Sequence, residues 1–439
     1  MKKLIEGSQL LEKVPMDCRV VGREPIVKLN HGLTLDDGNC FQSPTLILGQ
    51  VGSGKSTLLK KITEPILDYA EKSGDNVVIF CAKPELLAYR RQGDIVISAD
   101  GKEPECCWNI FEELKTSQNP DMLIRETAHS LFDNVTKQTN QPFFPQAASD
   151  IFQRTCLYLN DFGIKNGLSP TNADLVEFLE TTPVFSSDKT TGWLSLAEMS
   201  PEYFSPLRDY LGSGGEQAMG VLSELRTLIS RMFYGSFASE GSMSVTRLIR
   251  EGGKRIFLYY NYVTARSTLP ILKLILDLIL KEGMNPELKH KTWVFMDEGS
   301  LLPKSDVLID ALSLGRDPGS NGGGLRLFMC LQSAELMKRN YPDGREAEIL
   351  LSLFPNVISL KVYDPMSRKI ISERYGKAHY QLTYVGVGQK ITETDSYEEV
   401  VGDWQFSRID KKGMAIVSMP GISDSAFIYD GYEKEGGNA

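Results

Sequence analysis

Histidine and tryptophan are scarce in this sequence, with four of each, and no two of the seven cysteines stand in a C-x-x-C pattern. That spacing argues against a structural zinc site. The cysteines are Cys18, Cys40, Cys81, Cys106, Cys107, Cys156 and Cys330; their odd count points to reduced thiols in a cytoplasmic chain rather than a disulfide framework. Basic residues are outnumbered, 48 Lys and Arg against 57 Asp and Glu, for a formal charge of −9. This argues against a chain that coats nucleic acid over its whole surface and leaves only local basic patches for such contact. No run reaches the roughly 20 apolar residues of a membrane span. The nearest, LPILKLILDLIL over 269–280, contains Lys273 and Asp277 and reads as a buried helix. The opening MKKLIEGSQLLEKV has no apolar core of signal-peptide length. Internal repeats and low-complexity tracts are likewise missing.

What is present is ordinary globular material: 41% hydrophobic and 24% charged residues in 439, a length that suggests two domains. Residues 45–112 alternate strand and helix signals. The run TLILG is followed by a helix from Lys55 to about Lys72, and NVVIFCA (76–82) and DIVISA (94–99) are β-rich. Strands separated by helices predict a mostly parallel α/β sheet. From about 114 to 245 helical periodicity takes over. In 216–232, Ala218, Met219, Leu222, Leu225, Leu228, Ile229 and Met232 are assigned to one face, and Ser-Pro-Thr-Asn at 169–172 reads as a helix start. The α/β pattern returns after 250 with RIFLYYNY (255–262), TWVFMDE (292–298), LRLFMCLQ (325–332) and NVISLKV (356–362), and 415–430 reads as a closing hairpin. The expected organisation is an α/β domain over 1–113 and 246–432, an inserted all-α domain over 114–245, and a disordered tail over 433–439.

The sharpest local signal is Gly49-Gln50-Val51-Gly52-Ser53-Gly54-Lys55-Ser56, followed by Thr57, which fits G-x-x-x-x-G-K-[ST] between a strand and a helix. Glycines let backbone N–H groups curl around phosphate oxygens, and the following helix presents its positive end to the anion. Lys55 is expected to reach the β- and γ-phosphates of ATP, and Ser56 to ligate Mg²⁺. A chance glycine turn is the bland alternative, made rare by the flanking strand and helix. Asp297-Glu298 ends a four-residue apolar run, at the strand tip where such sheets bind ligands. Asp297 is expected to hold Mg²⁺ through water and Glu298 to deprotonate the attacking water; two solvated strand-end acids are the plainer alternative. Gln332, at the end of a neighbouring strand, is placed to sense the γ-phosphate, with a helix cap by Ser333 as an alternative that is compatible with it. Arg316, before a glycine-rich loop, has two readings: an arginine finger acting on a neighbouring subunit, or a solvated helix-end charge.

The order P-loop, long helical insertion, VFMDE, LxxGR and LQSAELMKRNYP resembles the type IV secretion coupling proteins, the TraD, TraG and TrwB relatives within the FtsK/HerA class of RecA-like P-loop motors. Further points of likeness are Ala82-Lys83-Pro84-Glu85, Trp108-Asn109-Ile110-Phe111, PFFPQAASDIF (142–152), GGKRIFLYY (252–260) and the segment 353–377. The likeness spans about 40–430. It implies a RecA-like nucleotide-binding fold and a hexameric ATPase that moves DNA into a secretion channel in conjugation. It also implies an all-α domain that meets relaxosome or cargo proteins, with motif positions at Lys55, Ser56, Asp297, Glu298, Arg316 and Gln332. Two departures stand out. The family commonly begins with a membrane anchor, so the expectation is either that a separate membrane-anchor subunit brings this chain to the inner face of the membrane or that it serves another process. Cys81 stands where the family often has aspartate.

Two other readings fit the same residues. One is a HerA/FtsK-like motor for mobile-element or phage DNA without a channel. The other is a cargo-recruitment module that uses ATP as an assembly switch. For DNA phosphates in a ring lumen, the candidate contacts are Arg90-Arg91 and Lys338-Arg339, and solvated surface pairs are the favoured reading of both.

Overall fold

The computed structural model describes residues 2–16, 24–101, 106–183, 192–211, 215–263, 266–315, 321–341, 343–385 and 391–431. In chain order its strands are β1 (Lys2–Glu6), β2 (Val27–Lys28), β3 (Thr34–Leu35), β4 (Thr45–Leu48), β5 (Asn76–Cys81), β6 (Ile95–Ile97), β7 (Arg255–Tyr259), β8 (Lys291–Met296), β9 (Gly324–Leu331), β10 (Asn356–Ser359), β11 (Lys377–Val385), β12 (Ile391–Glu399), β13 (Met414–Ser418) and β14 (Phe427–Asp430). The chain divides into two compact units, Met1–Phe80 with Gly283–Ala439, and Cys81–Glu282.

In the first unit the strands run in the order β14-β13-β10-β4-β9-β8-β5. The block from β10 to β5 is parallel throughout, and β13 and β14 add antiparallel at one edge. Every residue of β4, β5 and β9 is buried, and the same holds for β8 after Lys291. Such unbroken apolar runs suit a parallel sheet covered on both faces, where alternation has no solvent side to serve. Trp293, Phe295, Phe328 and Phe41 pack against one another between strands and loop. At the opposite ends of these strands Asp37 accepts from the buried Arg326 and pairs with Lys291 at 3.2 Å, so that guanidinium is not left uncompensated. The segment 356–362 is a strand only to Ser359, while 415–430 forms the expected hairpin. A second, three-stranded antiparallel sheet, β1-β11-β12, has no counterpart in the sequence reading. Its outer strand, ITETDSYEE, is exposed or half-exposed along its length, so it carries no apolar alternation to read.

The second unit holds the parallel pair β6 and β7 together with a series of helices. Among them are α2 (Ile110–Thr116), α3 (Pro120–Gln138), α4 (Phe143–Asn166) and α5 (Asn172–Thr181). The expected start at 169–172 is a capping box, with Thr171 and Asp174 satisfying each other's backbone N–H groups. The helix Glu216–Met232 buries Ala218, Val221, Leu222, Leu225, Leu228, Ile229 and Met232, with about 1.5–3 kcal/mol for each large side chain. Met219, assigned to that face from sequence, is exposed. At 100° per residue it falls about 120° from the centre of the stripe, and Val221 takes the place instead. The helix Leu269–Gly283 is apolar and buried as expected. Its Lys273 and Asp277 pair at 2.7 Å, and Lys273 also donates to Ser130 Oγ.

A buried polar clasp joins the points where the chain enters and leaves this helical stretch. Asn109 donates to the carbonyls of Pro170 and Gly241, and Asn172 to those of Trp108 and Phe237 while accepting from Ile110 N–H. Glu113 accepts from Trp108 Nε1, Ser244 Oγ and the backbone N–H groups of Val245 and Thr246. Burial pushes its carboxyl pKa up, against the pull of these donors. The tryptophan and asparagine of the W-N-I-F stretch therefore act as fasteners.

Candidate nucleotide site

Residues 49–54 join β4 to α1 (Lys55–Ser73), and neighbouring strand ends hang this loop in place. Gly49 N–H donates to Leu331 O at the end of β9, and Gln50 N–H donates to Lys361 O past β10. Ser53 closes the turn through Gln50 O, and Gly413 N–H donates to Ser53 O from outside. Gly54 has φ +102°, and a Cβ there would stand 2.9 Å from Gly413 N. Only glycine meets both demands, and the helix that follows begins at Lys55, so the free N–H groups of its first turn are a candidate cradle for phosphate.

The apolar run of β8 ends at the carboxylates. Asp297 and Glu298 are both nearly fully buried, and Asp297 N–H donates to Phe80 O. Lys55, as buried as they are, places Nζ 3.6 Å from Glu298 Oε2. Ser300 Oγ donates to Glu298 Oε1 at 2.6 Å, while Oε2 accepts no hydrogen bond from the described residues. The carboxylate is thus oriented by one oxygen with the other turned to the lysine. Between β4 and β8 lies β9, and just past its end Gln332 is half-buried beside these groups in strand order. Ser333 caps the short helix that follows by accepting from Glu335 N–H. Ser56 is half-buried, while Val51 and Thr57 are exposed. Arg316 lies outside the described residues.

The fold therefore brings together Gly49–Ser56, Asp297, Glu298 and the end of β9. Sequence reasoning missed Ser300, which orients the candidate base, and Asn340, whose amide donates to the carbonyls of Ser300 and Leu302 and pins that segment. A serine two residues after the acid was a signal; Asn340 left none, since its role arises only from chain crossing. The candidate DNA-contact pairs are exposed, although Lys338 is engaged with Glu335 at 2.6 Å and Arg91 N–H with Asp94.

Residues 38–397 match the model of a family described as the type IV secretion-system coupling protein DNA-binding domain. The chain belongs to the type IV secretion-system coupling proteins. Among solved structures it is similar to an unbound bacterial conjugative coupling protein, TrwBdeltaN70, at 19% identity over 97% of this chain and 92% of that one, TM-score 0.74. A plasmid coupling protein TrwB in complex with the non-hydrolysable ATP analogue ADPNP matches at 19% identity, 99% and 95% coverage and TM-score 0.73. VirB4 of Thermoanaerobacter pseudethanolicus follows at 14% identity, 92% and 96% coverage and TM-score 0.51. A search of curated proteins finds no match. At these identities the solved structures establish a shared fold, and this coupling-protein chain carries it over nearly its full length. Among the described residues no helix is long and apolar enough to cross a membrane.

Proposed function

We propose that this coupling protein hydrolyses ATP to drive DNA through a type IV secretion channel during conjugation. One observation carries the catalytic part. Lys55, after the phosphate cradle, and Glu298, more than 200 residues later, meet at 3.6 Å within one buried site. A cation placed for phosphate and a carboxylate oriented by Ser300 are what phosphoryl transfer to water requires. Glu298 Oε2 takes the proton from the attacking water as its oxygen bonds to the γ-phosphorus and the bridging P–O bond breaks, leaving ADP and phosphate. Lys55 stabilises the charge that develops on the phosphates, and Gln332 reads the γ-phosphate from the adjoining strand end. The oxygen donors Ser56 and Asp297 fit Mg²⁺, which when bound neutralises charge on the β- and γ-oxygens. Similar chains have been solved with ADP and Mg²⁺ and with a non-hydrolysable ATP analogue.

The DNA-binding description of the family supports DNA as the transported polymer, gripped through its phosphates. A homo-hexameric ring, a finger role for Arg316, a relaxosome or cargo protein on the helical domain over 114–245, and a separate membrane-anchoring subunit complete the reading. The test is ATPase activity at low salt, with and without DNA. Stimulation by DNA is expected, and equal rates overturn the translocase. Replacing Glu298 by Gln should abolish turnover and leave ATP binding intact; persistent turnover in that variant rules out Glu298 as the base.

A further inference from the structure

The polarity of the cradle locates the rest of the nucleotide. Strands run β10-β4-β9-β8 across this part of the sheet. The groups that act on the γ-phosphate, Glu298 and Gln332, end β8 and β9 and therefore lie on one side of the loop. A triphosphate laid along the loop with its γ end there must send its nucleoside out over the opposite side, past β10. Adjacent strands are about 4.8 Å apart, so that lip is within a nucleoside's length of the loop.

At that lip the chain runs Leu360-Lys361-Val362-Tyr363. Leu360 N–H donates to Leu48 O at 2.9 Å, and Lys361 O accepts from Gln50 N–H at 3.0 Å, so the segment is bonded to the start of the loop. A Cβ on Gly49 would stand 3.2 Å from Leu360 Cβ, which shows how closely the two run. Tyr363 ends this segment with 58% of its surface exposed, a large ring open to solvent beside a phosphate cradle. It is held rather than loose. Lys361 Nζ lies 5.6 Å from the ring centroid, and the side chains of Gln50 and Lys361 beside the phenol lower its pKa. An aromatic face fixed in direction and left uncovered is a stacking platform.

We propose that Tyr363 stacks on the purine base of the bound nucleoside triphosphate, positioned by Gln50 and Lys361, so that β10 supplies the nucleoside subsite and β8 and β9 the γ-phosphate subsite. This rests on the nucleotide reading of the P-loop. Stacking reads the face of a base, not its edge, so ATP and GTP should depend on the ring alike.

Binding of Mg²⁺-ATP and of Mg²⁺-tripolyphosphate to the full chain, measured by titration calorimetry, separates base from phosphate. Tyr363→Ala should weaken ATP and GTP roughly ten-fold and leave tripolyphosphate unchanged, while Tyr363→Phe and Tyr363→Trp retain ATP affinity. Equal affinity of the Ala variant for ATP overturns the proposal. A parallel loss of ATP and tripolyphosphate also overturns it, since the ring would then shape the loop and not hold the base. Thermal melting confirms that each variant is folded, as expected for so exposed a side chain. A wild-type chain that binds neither ligand defeats the P-loop reading itself, a result distinct from either of those.

Discussion

Lys55 and Glu298 form a nearly buried pair, and each member is also proposed to act in catalysis. Buried pairs contribute little net stability, but removing one member leaves the other charge uncompensated. Lys55→Met should therefore destabilise the first unit by about 3 kcal/mol in urea unfolding, and adding Glu298→Gln should recover about half. Additive losses would show that the two side chains are not coupled. At this scale the motif residues were legible because the chemistry dictates their types: glycine where φ is positive and a backbone approaches at 2.9 Å, lysine and hydroxyl after it, acids at a strand tip. Asn340 and Tyr363 were not legible as site residues. Each gains its role from a neighbour brought up by folding, and neither departs from what a turn or strand end commonly carries.

At the level of elements, the buried strands and the helices Glu216–Met232 and Leu269–Gly283 were readable from periodicity and run length. The misses have physical causes. Met219 was placed by residue type and not by angle, and β12, exposed or half-exposed along its length, offers no apolar alternation to mark its pairing with β11. The clasp at Glu113 lends itself to a pH measurement. Folding raises this carboxyl's pKa from an ordinary 4.5, so the folded chain binds the proton more tightly than the unfolded one. Its contribution is complete below the unfolded pKa and is lost as pH rises through the folded pKa. The stability of the native protein relative to Glu113→Gln should therefore fall as pH rises from about 4.5 toward neutrality, because glutamine has no proton to lose. Parallel stability curves for the two proteins would refute this.

For the molecule as a whole, the prediction concerns assembly. A ring motor needs a neighbour to complete its site, and Arg316 is the side chain proposed to supply it. Mass measurement with Mg²⁺-ATP and DNA should give a species about six times the 49.0 kDa chain. A monomer under every condition would remove both the hexamer and the finger.

The sequence by itself determined the chemistry and the fold class. A phosphate loop, a strand-end acid pair and long apolar strands interrupted by helices leave few architectures open, since each is forced by local backbone geometry or by burial. Only the tertiary structure decided which distant groups share a site and which strand ends flank the loop on either side. Strand order places β9 between the loop and Glu298, with β10 and Tyr363 on the far side. That order follows from which apolar faces pack together across the whole chain, and no local pattern of residues records it.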